Sequence, residues 1–291
     1  MKPRTIKRSI KALIAAALAA ALALALVACG GSGTDQSSST TDTTTTTPPL
    51  TKLVVGASTT PHAEILNALK DDLAAEGYDL QVVEYTDYVK PNLDTWDGVT
   101  IANFFQHKPY LDEFNAENNT DLVPVVAVHF EPLAIYPGKT TSLADLPDGG
   151  TIAVPNDTTN EARALLLLQA QGLITLPANA DLTVTPKDIV DNPKNLKIVE
   201  LEAAAIPAQL PDVDLGVING NFALSAGLDS STILAKEDPN SQAAQTYANI
   251  LVVKAGNEND PGVQALAKAL TSDKCRQFIN DTYKGLVIPV F

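Results

Sequence analysis

Residues 51–85 read TKLVVGASTTPHAEILNALKDDLAAEGYDLQVVEY, with a β-branched run on either side of a helical pattern. The runs at residues 53–57 and 80–85 have the length and composition of buried strands. Between them Pro61 favours a helix start and Gly77 a helix end. Four apolar residues share one face of this helix: Ile65, Leu66, Leu69 and Leu73. Strand, helix and strand in this order predict a βαβ unit with parallel strands.

The same alternation continues towards the end of the chain. Further strands are expected at residues 99–103, 122–136, 151–154, 196–201, 215–218 and 250–254, the second of them broken by Pro124 and Pro132. A capping box from Thr158 to Glu161 opens a helix that ends near Gly172, and another helix is expected at residues 261–283. The pattern restarts near residue 151. The fold class is therefore α/β, with two lobes of similar size and a cleft between them.

The N-terminus has the features of an export signal. A basic segment is followed by an apolar run at residues 12–28, and small residues surround Cys29. The run is near the lower length limit of a membrane span, so a retained anchor helix is the alternative. The Leu26–Cys29 tetrapeptide resembles the bacterial lipobox, which favours removal of residues 1–28 and lipidation of Cys29. The protein is then expected at the cell membrane, anchored by lipid on the extracytoplasmic face.

A polar, low-complexity segment follows the predicted anchor. Residues 30–49 (GGSGTDQSSSTTDTTTTTPP) contain no large apolar side chain and cannot contribute to a core. About 20 residues of such a coil span roughly 25 Å. Residues 29–51 are therefore predicted to be the lipid-anchored cysteine and a flexible tether.

Charge and motif content exclude several classes of function. The 291 residues include 20 Lys and Arg against 34 Asp and Glu, and removing the five basic residues before Cys29 takes the formal net charge from −14 to −19. An acidic body of this kind is unsuited to nucleic acid. Two cysteines and three histidines without metal-site spacing predict no metal site. Nucleotide-binding, cofactor and nucleophile motifs are missing, which favours a binding protein without a cofactor over an enzyme.

Aromatic residues are concentrated in one part of the chain. Seven of them fall within residues 85–114, although the whole chain has only 7 Tyr, 7 Phe and 1 Trp. Phe105 and His107 point the same way if their segment is extended. Rings and a neutral imidazole form a suitable lining for a thioether, since sulfur makes favourable contacts with ring edges. The alternative is an ordinary core cluster, as aromatic residues are mostly buried.

Polar residues at element ends suggest a site for a carboxylate. Arg163 lies about one turn into the predicted helix, on the same face as Asn160, and an Arg fork near a helix start suits an anion. A surface ion pair is the alternative for Arg163. Asn219 directly follows the strand at residues 215–218, and Asn249 directly precedes the last strand. Such positions line ligand crevices in open α/β sheets, although both Asn residues could also be ordinary turn residues.

At these positions the chain resembles the methionine-binding lipoproteins of ABC importers, the NlpA type. The matching strings are DYVKPN (87–92), FQHKPYLDEFN (105–115), PNDTTN (155–160), RALLLL (163–168), NPKNLKIVELEAA (192–204) and VINGNFAL (217–224). They occur in order over most of the body. The resemblance implies a two-lobed periplasmic-binding-protein type fold with two chain crossings, near Glu131 and Asn249. Lobe 1 would comprise residues 52–130 and 250–291, and lobe 2 residues 131–249.

The resemblance also implies a role for each candidate site residue. In that family aromatic residues and a His hold the ligand side chain, and Arg and Asn hold its amino-acid end. The first group corresponds here to Tyr88, Phe105, His107 and Tyr110. The second corresponds to Asn160, Arg163, Asn219 and Asn249.

Together these patterns predict a receptor that captures methionine between its lobes and delivers it to an ABC transporter permease. The alternatives within binding proteins are a receptor for a Met-containing dipeptide or for another apolar amino acid. An extracytoplasmic hydrolase would need a nucleophile beside His107 or His129, for which the sequence has no signal. An adhesive or structural lipoprotein would show no ligand-induced thermal shift.

Overall fold

The structure is a computed structural model that describes residues 49–291, apart from the side chains of residues 242 and 243. The predicted signal peptide at residues 1–28, Cys29 and nearly all of the tether lie outside the described residues. Within the described part of the chain, no helix has the length and apolar content needed to cross a membrane.

The described residues form strands and helices in alternation. The strands are β1 (Thr51–Ser58), β2 (Tyr78–Tyr85), β3 (Ala102–His107), β4 (Leu122–Phe130), β5 (Ala134–Pro137), β6 (Thr151–Pro155), β7 (Lys197–Leu201), β8 (Leu215–Ile218), β9 (Ala235–Lys236), β10 (Asn249–Lys254) and β11 (Ile288–Pro289). The helices are α1 (Glu64–Ala68), α2 (Lys70–Ala75), α3 (Lys90–Trp96), α4 (Lys108–Asn118), α5 (Thr158–Ala170), α6 (Ile206–Gln209), α7 (Gly220–Ser225), α8 (Gln242–Thr246), α9 (Pro261–Leu270) and α10 (Asp273–Tyr283).

The strands belong to two separate sheets. Sheet A has six strands in the order β11-β4-β10-β3-β1-β2, and sheet B has five in the order β7-β6-β8-β5-β9. The chain leaves sheet A after β4, builds all of sheet B, and returns to sheet A with β10. Two connections therefore join the sheets, and each sheet is built around its own buried apolar cluster. The α/β class and the two-lobed architecture predicted from the sequence are confirmed.

The βαβ unit that opens the body has the predicted pairing. β1 pairs in parallel with both β2 and β3. The helix between β1 and β2 is divided at Leu69 into α1 and α2, whereas the sequence predicts one helix. Its apolar face is buried as predicted: Ile65, Leu66, Leu69 and Leu73 are at most 1% exposed.

Several predicted boundaries are wrong for local reasons. The third strand was expected at residues 99–103 but occupies Ala102–His107, because α3 and a turn at Gly98, with φ of +76°, precede it. The helix expected at residues 261–283 is two helices, α9 and α10, since Ser272 caps a new helix start. The N-cap of α5 is Asp157, whose carboxylate accepts the Asn160 N–H, so the predicted capping box does not open the helix.

Glu161, in the first turn of α5, makes stability depend on pH. Glu161 is 5% exposed, and within the described part of the chain its Oε1 has no hydrogen-bond partner. Burial, and then the neighbouring Glu200, raise the pKa of Glu161 to about 8. The unfolded chain releases this proton near the ordinary value of 4.5. Between these two values the folded state binds the extra proton, so the free energy of unfolding falls as the pH rises.

We expect Glu161→Gln to reproduce the neutral carboxyl and remove this dependence. The variant should match the wild type below pH 4.5 and exceed its free energy of unfolding by about 1–2 kcal/mol above pH 8. This is less than the full pKa shift would give, because solvent screens the interaction with the exposed Glu200. Urea unfolding of both chains across this range measures the difference. A difference that does not change with pH would show that Glu161 is ionised in the folded chain.

Candidate ligand-binding site

A pocket that is partly open to solvent lies between the two sheets. The lining residues are Tyr88, Phe105, Gln106, His107, Tyr110, Glu131, Asn160, Arg163, Asn219, Gly220, Asn221 and Asn249. All eight residues predicted from the sequence to bind the ligand thus lie around one cavity.

Sheet A brings the aromatic residues to the pocket. Phe105 and His107 alternate at the end of β3, and Tyr110 lies in the first turn of α4, which follows at once. Tyr88 lies in the loop between β2 and α3. Asn249 is the first residue of β10 and pairs with His107, because β10 runs antiparallel to β3. The carboxyl end of β3 and the amino end of β10 therefore meet at one edge of the sheet.

Sheet B supplies the facing polar residues. Asn160 and Arg163 lie in the first turns of α5, directly after β6, and Asn219 directly follows β8. β6 and β8 are parallel neighbours, so their carboxyl ends lie side by side. Asn219 therefore lines the pocket from the carboxyl end of a strand.

Three of the rings form one aromatic wall, composed of Tyr88, Phe105 and Tyr110. The ring centroid of Tyr88 is 5.7 Å from that of Phe105 and 5.6 Å from that of Tyr110. Centroid separations in this range are those of favourable aromatic pairs. Phe105 is buried, whereas Tyr88 and Tyr110 are half-buried.

His107 connects the aromatic wall to sheet B in a defined protonation state. The Tyr110 backbone N–H donates to Nδ1 at 3.2 Å, so Nδ1 carries no proton. The proton is then on Nε2, which lies 3.1 Å from Asn160 Oδ1 and donates to it. Burial, reinforced by the charge of Arg163, lowers the pKa of His107 to about 3. His107 is therefore a neutral hydrogen-bond donor.

Arg163 is a buried residue with a partly buried counter-charge, Glu237. Its side chain is 4% exposed, and its Nε and Nη2 donate to the Glu237 carboxylate at 2.7 and 2.5 Å. Nη2 also donates to the Glu131 carbonyl at 2.9 Å, and the guanidinium carbon lies 4.2 Å from the centroid of the Tyr247 ring. The alternative of a surface ion pair is wrong. Among the described residues, no hydrogen bond uses Nη1, which leaves that nitrogen for a ligand.

Direct contacts join the two sheets across the pocket. The Tyr88 hydroxyl donates to Asn221 Oδ1 at 2.5 Å, and the Tyr88 ring packs 4.8 Å from that of Phe222. The bond between His107 and Asn160 also spans the sheets. The structure therefore shows the two lobes in contact across the pocket.

Several residues at the pocket were not predicted from the sequence. Gln106, Glu131, Gly220 and Asn221 line the pocket, and Glu237 holds Arg163, yet none of them was among the predicted site residues. Glu131 had one usable signal, since it directly follows the strand ending at Phe130. Glu237 has none, because it is 74 positions from the residue that it pairs with.

One group of described residues has the donor atoms of a metal site. His62, His129 and Glu131 place ligand atoms within 4.8 Å of one another, and all three are buried. The Nδ1 atoms of both His residues lack a partner. A metal-bound His normally donates its other ring N–H to a neighbour. This arrangement therefore fits a His129 imidazole bonded to Glu131 and a His62 imidazole bonded to Asn249 better than a metal centre.

Two α/β sheets with a polar and aromatic pocket between them define a two-lobed substrate-binding protein fold. The family model described as NlpA lipoprotein matches residues 53–291, and the chain belongs to this family. The crystal structure of a lipoprotein from Ruminococcus gnavus is 51% identical, covers 82% of this chain and 99% of that one, and superposes with a TM-score of 0.81.

Two further relatives have ligands in their names. A nutrient-binding protein from Burkholderia cenocepacia, solved bound to methionine, is 40% identical, covers 82% of this chain and 100% of that one, and has a TM-score of 0.78. The D-methionine-binding lipoprotein MetQ of Escherichia coli is 39% identical over 239 residues, which are 80% of this chain and 84% of that protein.

Proposed function

We propose that this protein is a lipid-anchored, extracytoplasmic receptor that captures methionine and delivers it to an ABC import permease. One observation carries the proposal: a single pocket joins the aromatic wall to a buried Arg and several amides. A ligand with an apolar tail and a charged head matches both ends. The names of the relatives in the NlpA family support methionine in particular.

The eight predicted residues take the roles expected from the sequence. Tyr88, Phe105, Tyr110 and His107 surround the thioether tail. At the other end, Arg163 directs its free Nη1 to the ligand carboxylate, and Asn160, Asn219 and Asn249 complete the polar lining. Support comes from their common placement around the pocket and from the burial of Arg163, which strengthens a charged hydrogen bond.

The mechanism is capture by lobe closure. We take residues 52–130 with 250–291 as lobe 1 and residues 131–249 as lobe 2. The strand content of the two sheets supports this division to within one residue, since β1 begins at Thr51 and β10 at Asn249. Ligand contacts from both lobes stabilise the closed state relative to the open one, and only such differential affinity can drive closure. The closed receptor then docks on the permease, while Cys29 holds it at the membrane through lipid.

Hydrolysis is disfavoured by the state of the two candidate bases. His107 has both ring nitrogens engaged, by Tyr110 N–H and Asn160, and its pKa of about 3 makes it a poor proton acceptor. Burial also lowers the pKa of His129 to about 3. A general base works best with a pKa near the operating pH.

The aromatic wall should select a flexible thioether over a branched side chain. We expect affinity to fall from methionine to norleucine to leucine, because norleucine keeps the shape without sulfur and leucine loses both. Each sulfur–ring contact contributes roughly 0.3–1.5 kcal/mol. Titration calorimetry with the three amino acids measures the order, and Tyr110→Ala should narrow the gap between methionine and norleucine. Equal affinity for methionine and leucine would contradict the methionine assignment and leave a general amino-acid receptor.

Mass spectrometry of ligand released by denaturing the freshly purified chain tests the proposal as a whole. Release of free methionine supports it. Release of a Met-containing dipeptide, or tighter binding of such a dipeptide in calorimetry, would favour the alternative receptor. A chain that releases no amino acid or peptide, and whose thermal midpoint does not respond to added methionine, would contradict the proposal.

A further inference from the structure

Strand β3 is irregular at the point where it reaches the pocket. Phe104 lies opposite Leu251 of β10, and the next pair of opposite residues is Gln106 and Ile250. β3 therefore has one residue more than β10 at this point, and that residue is Phe105. An extra residue of this kind is a β-bulge, which bends the strand and re-aims a side chain, often next to a functional site. Here the re-aimed side chain belongs to the aromatic wall.

Two buried amide side chains lie on either side of the bulge and are bonded to each other. They belong to Asn103 and Gln106, and Gln106 Nε2 donates to Asn103 Oδ1 at 2.9 Å. In a regular strand, residues three positions apart point to opposite faces. The hydrogen bond between these two side chains therefore depends on the extra residue between them.

Asn92, in the first turn of α3, completes this group, which we call the amide cluster (Asn92, Asn103 and Gln106). Asn92 Nδ2 donates to Gln106 Oε1 at 2.9 Å. Asn92 Oδ1 accepts from Gln106 Nε2 and from Asn103 Nδ2, the latter at 3.0 Å. Asn92 is fully buried, and it does not line the pocket.

The amide cluster favours one conformation of the bulge. Straightening β3 would separate Asn103 from Gln106 and leave buried amide groups without partners, which is costly. Asn103 Nδ2 also donates to Thr95 Oγ1 at 2.8 Å, so the cluster is bonded to the second turn of α3 as well. The bulge is thus held from α3 at two points.

The same cluster fixes the second ring of the aromatic wall. Tyr88 lies two residues before α3, and its carbonyl accepts from the Tyr110 hydroxyl at 3.1 Å. Because the amide cluster joins α3 to β3, it sets the position of Tyr88 relative to Phe105. These two ring centroids are 5.7 Å apart.

We propose that Asn92 is a positioning residue for recognition of the ligand tail. Through Asn103 and Gln106 it holds the bulge that presents Phe105 to the pocket. This inference rests on the proposed function and extends it, because recognition of the thioether then depends on a residue that does not line the pocket.

A double-mutant cycle of Asn92→Leu and Phe105→Ala tests this role, with methionine as the probe in titration calorimetry on the full-length chain in detergent. Leucine keeps the branching of asparagine and removes its donor and acceptor. We expect Asn92→Leu to weaken methionine binding by about 10-fold when Phe105 is present. The loss should be under about 2-fold when residue 105 is already alanine, since groups in one network couple. A purely structural role would give the same loss in both backgrounds.

Circular dichroism identifies a temperature at which all four chains are folded. If Asn92→Leu does not fold at any temperature, Asn92→Ser takes its place in the cycle, because the hydroxyl cannot bridge both neighbouring amides. The same dependence on Phe105 is expected for the serine variant.

Asn192→Leu is the matched control, because the Asn192 amide is bonded to both the N–H and the carbonyl of Leu196 and does not line the pocket. It should keep the methionine affinity of its background. Equal losses from Asn92→Leu in both backgrounds, or no loss in either, would overturn the positioning role and leave the proposed function intact. A wild type that binds no methionine would overturn the proposed function, and the positioning role with it.

Discussion

Replacing Arg163 with alanine should weaken methionine binding by about 2–5 kcal/mol, the range for truncating one partner of a buried charge pair. The physical reason is the burial of the guanidinium: the Arg163 side chain is only 4% exposed. A ligand carboxylate that has left water for such a site loses its main compensation when the donor is removed. Titration calorimetry at a temperature where the variant is folded measures the loss.

Two further variants make this experiment specific. Arg163→Lys should also bind poorly, since an ammonium cannot donate to Glu237 and to a ligand in the geometry of the guanidinium fork. Arg276→Ala is the matched control: Arg276 lies on α10, contacts Phe291, and does not line the pocket. It should keep wild-type affinity. Wild-type affinity in Arg163→Ala would remove Arg163 from the ligand site.

Removing Glu237 should have the largest effect on stability. Glu237→Ala would leave the buried guanidinium without its counter-charge, and breaking a buried pair in this way costs about 3–5 kcal/mol of unfolding free energy. In the same way, Arg163→Ala would leave the Glu237 carboxylate without its counter-charge. We expect the double variant to lose clearly less than the sum of the two single variants, because it leaves neither charge unpaired. Urea unfolding of the four ligand-free chains gives the coupling free energy.

The exposed pair of Glu76 and Lys268 provides the control cycle. Its side chains are 45% and 77% exposed, and solvent screening should limit its coupling to under about 1 kcal/mol. The losses of unfolding free energy in the Arg163 and Glu237 variants could instead prove additive, as expected for the surface pair. Their ion pair would then contribute nothing to stability beyond the two separate side chains.

The candidate site was predictable where its residues lie close together within one strand or helix. Phe105 and His107 share a strand, and Asn160 and Arg163 share a helix face, so periodicity alone groups each pair. The resemblance to the methionine-binding lipoproteins joined these groups into a site, and the structure places all eight residues around one pocket. The helix division at Leu69 and the shifted third strand were missed because turns compete locally with weak strand and helix signals.

The α/β class, the parallel opening unit, the acidic charge and the residue types available to a ligand follow from short-range periodicity and composition, so the residues alone predict them. Which distant residues meet is visible only in the folded chain. Glu237 pairs with Arg163 across 74 positions, and His62 contacts Asn249 across 187. Such contacts depend on the two connections between the sheets and on the order of the strands. Local propensity carries no information about either, because it extends no further than the element in which a residue lies.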